Sequence, residues 1–264
     1  VEEPGYGKIR KIYAAGGVQT VSAAMDDRGV IPESLGSADV LHISPSHHFP
    51  TGIVTPVSRR RELLDWANRG KKWIIEDDYD SEFDAHPVPA MQSLDDGGRV
   101  IYMNSFSKSL APSIRISYMV LPAGLMAAFQ QKLGFYSCTV PSFEQYTLAR
   151  FLSRGFFEKH INRMRKFYKN RRNAVVSLLE KCSFSDKLTI QEQDAGLHFL
   201  LNVATSLPDQ SLTEKLAALG IRVRALSSYY HDQSEDLHCL VINYSGLKEE
   251  RLSAALAAIS GELA

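Results

Sequence analysis

The sequence predicts an α/β protein with a mainly parallel sheet in its first part and a smaller α+β unit after it. In the first half, short unbroken apolar runs alternate with amphipathic stretches, which is typical of βαβ units around a buried parallel sheet. The second half opens with a long helical segment and then mixes strands and helices. We therefore expect part of a large domain over residues 1–155 and a small C-terminal domain over residues 156–264.

The predicted strands of the first part are short apolar runs, several of which end in polar residues. They cover residues 18–24, 40–44, 73–75, 100–103 and 116–121. Residues 58–71 predict an amphipathic helix, because Leu63, Leu64 and Trp66 are spaced for one face. Two further helices are predicted over residues 123–134 and 143–153.

A long helix over residues 156–182 is predicted to connect the two parts. Its apolar residues recur at helical spacing, and its basic run is expected to form a solvated face. The remaining predicted strands cover residues 188–190, 196–202, 221–224 and 237–243, and the remaining helices cover 212–220 and 249–264. This order indicates a separate α+β unit.

Composition excludes several classes of protein. Of the residues, 44% are hydrophobic and 23% are charged, which is typical of a soluble globular chain. No apolar run approaches the ~18 residues of a membrane span. The 30 basic and 30 acidic residues give a net charge of +0, which argues against a nucleic-acid surface on this segment. Three widely spaced cysteines favour a reduced, cytoplasmic protein.

The beginning of the sequence resembles the interior of a longer protein. The chain opens at Val1, without an initiator Met, a signal-peptide pattern or a basic targeting stretch. We therefore expect it to be a fragment of a longer polypeptide.

Chemistry-bearing residues lie where three successive predicted strands end. The three segments are SPSHHFPTG at 44–52, EDDYD at 76–80 and NSFSK at 104–108. In open α/β sheets, ligands bind outside the carboxyl ends of the strands. One edge of the sheet is therefore expected to bring these segments together.

Lys108 follows a strand end and is flanked by small hydroxyl side chains. Such a lysine suits a Schiff-base amine if burial and cationic neighbours lower its pKa. Arg115 offers a planar fork for a phosphate, and Ser105 and Ser107 offer hydroxyl contacts to it. The alternative is that Lys108 is simply an exposed lysine in a serine-rich loop. The S-x-x-K element of serine β-lactamases also matches, but the later K-T-G strand that it requires is not found.

The segment 76–80 packs four carboxylates into five residues. Such a cluster raises its own pKa values unless cations or a metal compensate. Oxygen ligands suit Mg²⁺ or Ca²⁺. Alternatively, one aspartate points toward a protonated ring nitrogen while Tyr79 donates to a phenolic oxygen, or the segment is simply an acidic loop.

Taken together, the three segments resemble the aminotransferase-like domain of MocR/GabR-type transcription regulators. The resemblance rests on PSHHFPTG at 45–52, IEDDYDSEF at 75–83 and SFSKSLAP at 105–112, with VEEPGY at 1–6 and AGLH at 195–198 fitting the same pattern. It covers essentially the whole chain. It implies the fold of fold-type I enzymes that depend on pyridoxal 5'-phosphate: a partial large domain with a mainly parallel sheet, plus a small α+β domain.

The resemblance also implies roles for individual residues. Lys108 would form the internal aldimine, Asp77 would pair with the pyridine nitrogen and Tyr79 would reach the ring hydroxyl. The phosphate would be held by Ser105 and Arg115, and the implied cofactor-binding set further includes Ser107 and Tyr6. A carboxylate at the ring nitrogen keeps it protonated, which makes the ring an electron sink. The planar fork of an arginine suits a phosphate dianion.

In this family a winged-helix module of the GntR type precedes the aminotransferase-like domain. The resemblance therefore implies DNA binding only through that module, which is missing here, together with a homodimer, no membrane contact and a small-molecule effector, either an amino acid or pyridoxal phosphate. The first strands and the phosphate-embracing loop of the large domain are also missing. We therefore expect the chain alone to bind the cofactor weakly or not at all.

One departure concerns substrate binding. Aminotransferases of this fold carry an arginine that clamps the substrate carboxylate, and Val241 stands at that position; Gly246 stands where the GABA-responsive regulator has its arginine. The possible substitutes are Lys8, Arg222 and Arg224. This favours effector sensing without full transaminase turnover, with a fragment of a working class I aminotransferase as the alternative. Three histidines are candidates for the lining of the pocket, although a loop histidine is usually only hydrogen-bonded: His47, His48 and His198.

Overall fold

The structure is a computed structural model of the chain. It describes residues 1–83, 88–191, 196–231 and 235–263, with only the backbone of 260–263. Ala195, which belongs to one of the sequence motifs, and Ala264, the predicted end of the last helix, lie outside the described residues.

The described strands are short and lie in both halves of the chain. They are β1 (Glu2–Glu3), β2 (Ala23–Asp26), β3 (Gly29–Val30), β4 (Val40–Ile43), β5 (Trp73–Asp78), β6 (Val100–Ser105), β7 (Ser117–Val120), β8 (Leu188–Gln191), β9 (His198–Val203), β10 (Arg224–Ala225) and β11 (Cys239–Asn243).

The described helices range from one turn to seven turns. They are α1 (Gly7–Ala15), α2 (Val57–Gly70), α3 (Met91–Leu94), α4 (Phe106–Ser109), α5 (Ala123–Leu133), α6 (Ser142–Ser153), α7 (Phe156–Glu180), α8 (Asp209–Ala218) and α9 (Glu249–Leu263). Short 3-10 helices lie at Pro32–Leu35, Ser81–Phe83, Ser185–Lys187 and Leu226–Tyr229. None of the described helices combines the length and the apolar character needed to cross a bilayer.

A four-stranded sheet has the order β4-β5-β6-β7. The first three strands are parallel, and β7 is antiparallel to β6. The segments that follow β4, β5 and β6 therefore leave the same edge of the sheet. Helix α2 covers one face with an apolar stripe, and this packing buries apolar side chains on both elements: Leu41, Ile43, Leu63, Leu64, Ala67, Ile74 and Val100.

A second four-stranded sheet is entirely antiparallel, with the order β10-β11-β9-β8. Strand β9 lies between β11 and β8 and is buried along nearly its whole length. Phe199 is fully buried and stacks on Tyr244. A small sheet holds β1, β2 and β3, with β1 parallel to β2.

The chain divides into two compact units. The first comprises residues 1–25, 48–53 and 166–264, and the second comprises residues 26–47 and 54–165. The sequence instead places residues 1–25 and 48–53 with the first half of the chain. The division at 155/156 therefore stays a proposal about domains.

Most predicted elements lie within one or two residues of the observed ones, but two predicted strands are largely wrong. In 18–24 only the last two residues are in a strand, because β1 offers partners only to Ala23 and Ala24. The valines before them, Val18 and Val21, are exposed. In 221–224 only Arg224 is in a strand, since β10 pairs with β11 at two positions alone.

Candidate functional site

Strand β5 ends in the acidic segment and alternates its side chains between two faces of the sheet. Glu76 and Asp78 are buried, whereas Asp77 between them is partly exposed. Successive side chains of a strand point to opposite faces. The alternation therefore separates Asp77 from both of its acidic neighbours.

Both buried carboxylates have partners in the fold. Glu76 accepts hydrogen bonds from the backbone N–H groups of Met91 and Gln92, at 2.8 and 2.9 Å. Asp78 accepts from the hydroxyls of Ser81 and Tyr102, both at 2.7 Å. Burial raises the pKa of Glu76, and these two N–H donors and the cation of an arginine on α2 oppose the rise. Glu76 and Asp78 therefore serve the packing of this unit.

Asp77 has a different environment. Its side chain is 32% exposed, and its Oδ2 lies 3.6 Å from Nε2 of His42 on the neighbouring strand β4. Among the described residues, no group of three or more histidine, cysteine or acidic side chains is arranged to hold a metal ion. Asp77 is the carboxylate of β5 that a ligand can reach.

Lys108 lies in α4, which begins directly after β6. Its Nζ is 4.1 Å from the centroid of the Tyr79 ring and 3.9 Å from Oδ2 of Asp80. Although 45% of the side chain is exposed, desolvation by the surrounding protein lowers the pKa of Lys108. Attraction to Asp80 and, more weakly, to Asp77 opposes that shift. A lysine with a lowered pKa is a better nucleophile at neutral pH.

Next to Lys108, the residues His47, Asp80 and Tyr79 form a hydrogen-bonded cluster. The ring Nδ1 of His47 is 3.1 Å from Oδ2 of Asp80, and both side chains are buried. The hydroxyl of Tyr79 donates to the backbone oxygen of His47 at 2.7 Å. In this arrangement the hydroxyl hydrogen of Tyr79 is already used.

The predicted phosphate-binding residues form a small cluster at the start of α4. Ser105 is the N-cap and accepts a hydrogen bond from the backbone N–H of Ser107 at 3.2 Å. The hydroxyl of Ser107 donates to the backbone oxygen of Ile114, and Arg115 donates to that hydroxyl at 3.1 Å. Arg115 is exposed, so its remaining N–H groups can bind an anion.

Tyr6, the remaining predicted site residue, lies in the other compact unit. There the ring of Phe49 makes edge contacts with the rings of Tyr6, His198 and Tyr229. The loop that carries Phe49 is closed by a hydrogen bond of 2.7 Å from the N–H of Gly52 to the oxygen of His48. Gly52 has a φ of 81°, a conformation that glycine adopts without steric cost.

The candidates for carboxylate binding also lie in this unit. Val241 is buried in a cluster with Leu200 and Cys239, and Phe49 packs against that cluster. A cleft of about 660 Å³ nearby has Val241 in its wall together with three arginines: Arg222, Arg224 and Arg251. Lys8 instead lies over the ring of Tyr6. Gly246 is exposed.

Sequence reasoning missed Asp80 and His42. Asp80 belongs to the acidic run, but the run alone does not show which of its members contacts the lysine. His42 lies inside an apolar strand. Its partner in the parallel register is Ile75, so strand pairing alone does not indicate that His42 contacts Asp77. The signal that was available is the two-residue period of β5, which puts Asp77 on the same partly buried face as Trp73 and Ile75.

Three comparisons with known proteins agree. The family model for aminotransferases of class I and II matches residues 2–259. Curated relatives include YdeL of Bacillus subtilis, an uncharacterised HTH-type regulator (39% identity, 87% of this chain, 50% of that protein). They also include MocR of Rhizobium meliloti, a probable rhizopine catabolism regulator (34% identity, 94% of this chain, 50% of that protein). A third is PdxR of Corynebacterium glutamicum, a pyridoxine biosynthesis regulator (30% identity, 98% of this chain, 56% of that protein).

Among solved structures, kynurenine aminotransferase of Pyrococcus horikoshii is similar with a TM-score of 0.82 and 25% identity, over 100% of this chain and 69% of that one. The α-aminoadipate aminotransferase LysN of Thermus thermophilus has a TM-score of 0.79 and 22% identity, over 99% and 70% of the two chains, and shows the fold alone. The chain spans about half the length of the curated relatives it matches. The predicted fold and the predicted resemblance are both confirmed. This chain belongs to the aminotransferase class I and II family, with the fold of the fold-type I enzymes, and its curated relatives include MocR- and PdxR-type transcription regulators.

Proposed function

We propose that this chain is the effector-sensing, pyridoxal phosphate-binding and dimerisation domain of a bacterial MocR-type regulator, with the cofactor attached to Lys108. The observation that carries the proposal is that Lys108 and Asp77 stand at the same edge of the sheet. Lys108 lies in α4 directly after β6, and Asp77 is the last residue but one of β5, the parallel neighbour of β6. The regulators among the relatives support the regulatory role.

The chemistry of the side chains fits pyridoxal phosphate. The cofactor needs an amine that can bond to its aldehyde, an anion for its ring nitrogen and donors for its phosphate. Lys108 and Asp77 are the partly exposed amine and carboxylate of this region. Arg115 is exposed beside Ser107 and Ser105, so a guanidinium and two hydroxyls are close together.

The roles proposed for these residues follow from their ordinary chemistry. When bound, the cofactor supplies an aldehyde and an electron-withdrawing ring. Lys108 would hold it covalently through Nζ, with the aldehyde oxygen leaving as water, and Asp77 would keep a proton on the ring nitrogen. Arg115 and Ser105 bind the phosphate with charge-assisted hydrogen bonds, and Ser107 joins them by exchanging its present bond to the oxygen of Ile114.

Tyr79 is proposed to donate to the ring hydroxyl. Its single O–H group serves one acceptor at a time, so it would exchange its present bond to the oxygen of His47 for that acceptor. This exchange distinguishes Tyr79 from Asp77, whose carboxylate needs no such rearrangement.

Effector sensing is favoured over turnover by the surroundings of Val241. An apolar side chain buried among apolar neighbours cannot bind a substrate carboxylate. The arginines of the neighbouring cleft, Arg222 and Arg224, are the proposed carboxylate-binding groups for an amino-acid effector. A working aminotransferase would share Lys108 and Asp77, so multiple-turnover assays are the observation that separates the two functions.

The remaining parts of the proposal follow from the relatives. As in an HTH-type regulator, DNA binding would belong to a winged-helix module outside these 264 residues. We further propose a cytoplasmic homodimer whose effector is an amino acid or pyridoxal phosphate itself. We expect the 264-residue chain alone to bind the cofactor weakly or not at all, since it spans about half the length of its relatives.

The test is to identify the lysine that carries the cofactor. The protein that contains this chain is incubated with pyridoxal phosphate, reduced with borohydride and digested, and the labelled peptide is identified by mass spectrometry. We expect the label on Lys108 and its loss in Lys108→Ala. Labelling of Lys71 or Lys72 with Lys108 unmodified would refute the proposal.

A further inference from the structure

Asp80 is a buried carboxylate with a histidine on one side and a lysine on the other. Asp80 and His47 are each 1% exposed. One oxygen, Oδ2 of Asp80, lies 3.1 Å from Nδ1 of His47 and 3.9 Å from Nζ of Lys108. A buried carboxylate is tolerated when it is paired with donors or cations. Here Asp80 is held between His47 and Lys108.

The hydrogen bond assigns the proton on His47. An ionised carboxylate only accepts hydrogen bonds, so Nδ1 of His47 carries the hydrogen and donates it to Asp80. The hydroxyl of Tyr79 donates to the backbone oxygen of the same histidine, and its oxygen is 3.3 Å from Nδ1. Tyr79 is thereby held in place, and its ring is the surface over which Nζ of Lys108 lies.

Within the described residues, charged groups act on both Lys108 and Asp80. Two carboxylates attract Lys108, and Asp80 has the larger effect on its pKa while Asp77 has the smaller. Asp80 itself faces His47, Lys108 and, at longer range, the carboxylate of Glu82, whose pKa it raises. Asp80 is therefore the anion whose loss changes the surroundings of Nζ most.

We propose that Asp80 is a positioning residue for Lys108, held in place by His47, and that it keeps Nζ charged and against the Tyr79 ring until the amine reacts. The inference rests on the proposed role of Lys108 and names the group that controls its reactivity. Only the neutral amine is nucleophilic. Asp80 therefore restrains Lys108, whereas burial activates it.

Competitive acetylation of the cofactor-free protein tests this restraint. The protein reacts with a trace of acetic anhydride between pH 6 and 10, and the extent of acetylation is measured on the Lys108 peptide, with exposed Lys166 and Lys169 as internal references. In Asp80→Asn we expect Lys108 to react about tenfold faster near neutral pH, with its titration about one unit lower, because an adjacent opposite charge shifts a pKa by one to three units. An unchanged Lys108 profile in folded Asp80→Asn would overturn the proposal.

Two further variants separate positioning from a general loss of structure. Asp78→Asn removes a buried carboxylate of the same segment that bonds to Ser81 and Tyr102, and we expect it to leave the Lys108 profile unchanged. His47→Ala should change the profile in the same direction as Asp80→Asn. His47→Asn, which retains an N–H near the place of Nδ1, should restore it.

If Asp80→Asn does not fold, the interaction between Asp80 and Lys108 can be tested by replacing the lysine instead. In Lys108→Gln the carboxylate loses its cation, so the Nδ1 proton resonance of His47 should shift; no shift would refute the inference. Both measurements use cofactor-free protein. An intact Asp80 effect without cofactor attachment at Lys108 would therefore refute the proposed function alone, and attachment without an Asp80 effect would refute this inference alone.

Discussion

Arg60 and Glu76 are both fully buried, and Nη1 of Arg60 lies 3.8 Å from Oε1 of Glu76. Three nitrogens of the guanidinium donate to backbone oxygens of surrounding loops, namely Pro45, Thr55 and Pro89. The carboxylate accepts two backbone N–H groups at the start of α3. The pair therefore joins α2 and β5 to the loops around the edge of the sheet where Asp77 lies.

Removal of one partner is expected to be severe. In Arg60→Ala, Glu76 stays buried without its cation and three carbonyl groups lose their donor. Loss of one partner of a buried pair destabilises proteins by about 3–5 kcal/mol. We expect a fall of that size in the free energy of unfolding, measured by urea denaturation. The neighbouring exposed Arg61→Ala should change it by less than about 0.5 kcal/mol. Equal effects of the two variants would contradict this account of the pair.

Glu82 is expected to make stability depend on pH. Burial raises its pKa above the ordinary 4.5, and repulsion from Asp78 adds to the rise. At pH values between 4.5 and the raised pKa, the folded state binds more protons than the unfolded state. The free energy of unfolding therefore falls as pH increases through a window that begins near 4.5. Glu82→Gln removes this charge and keeps an oxygen for Asn104.

The variant should therefore be more stable than the wild type at pH 7.5, by about 1.4 kcal/mol for each unit by which the pKa is raised. The advantage should disappear toward pH 4.5, as urea denaturation across this range would show. Exposed Glu180→Gln is the matched control and should show no such trend. A stability advantage that grows on acidification would show that the sign is wrong.

The alternation along β5 predicts opposite behaviour for two adjacent aspartates. Asp77→Ala should weaken pyridoxal phosphate binding by the protein that contains this chain, because an unpaired ring nitrogen loses on the order of a few kcal/mol, while the free energy of unfolding changes little. Asp78→Ala leaves Ser81 and Tyr102 without their acceptor and should mainly reduce stability. Absorbance titration and urea denaturation measure the two effects. A larger loss of cofactor affinity in Asp78→Ala would show that the wrong carboxylate was chosen.

The sequence was most informative where local pattern and burial coincide. The strand ends before Asp77 and Lys108 could be predicted, because unbroken apolar runs mark parallel strands and their polar ends mark the sheet edge. Helix α1 was not predicted: Ile9, Ile12 and Tyr13 stand at helical spacing, but the helix is short and none of its residues is buried. Its N-cap, Tyr6, makes no side-chain capping bond that would mark the start.

Long-range pairs were beyond sequence reasoning. His47 and Asp80 are 33 residues apart and Arg60 and Glu76 are 16 apart, so neither pair has a local signature. Arg60 lies in an arginine-rich stretch that resembles a solvated helix face, yet it is fully buried while Arg61 is exposed. Only the packing of α2 on the sheet determines which of these adjacent cations enters the core.

Val241 leads to a prediction about catalysis. It stands where the family resemblance expects the carboxylate-binding arginine, and it is buried with Leu200 and Cys239. We expect the protein that contains this chain, supplied with pyridoxal phosphate, to give no multiple-turnover transamination of glutamate or aspartate. Formation of the 2-oxo acid is the measurement, with an active aminotransferase as the positive control.

Restoring the arginine should not restore turnover. Val241→Arg places a cation among apolar side chains without a partner, and burial of an unpaired charge is strongly unfavourable. We expect a fall of several kcal/mol in the free energy of unfolding, on the order found for unpaired buried charges. Val241→Leu keeps the site apolar and should cost less than about 1.5 kcal/mol. Sustained turnover by the wild-type protein, or a stable and active Val241→Arg, would show that this unit binds substrate carboxylates as an ordinary aminotransferase does.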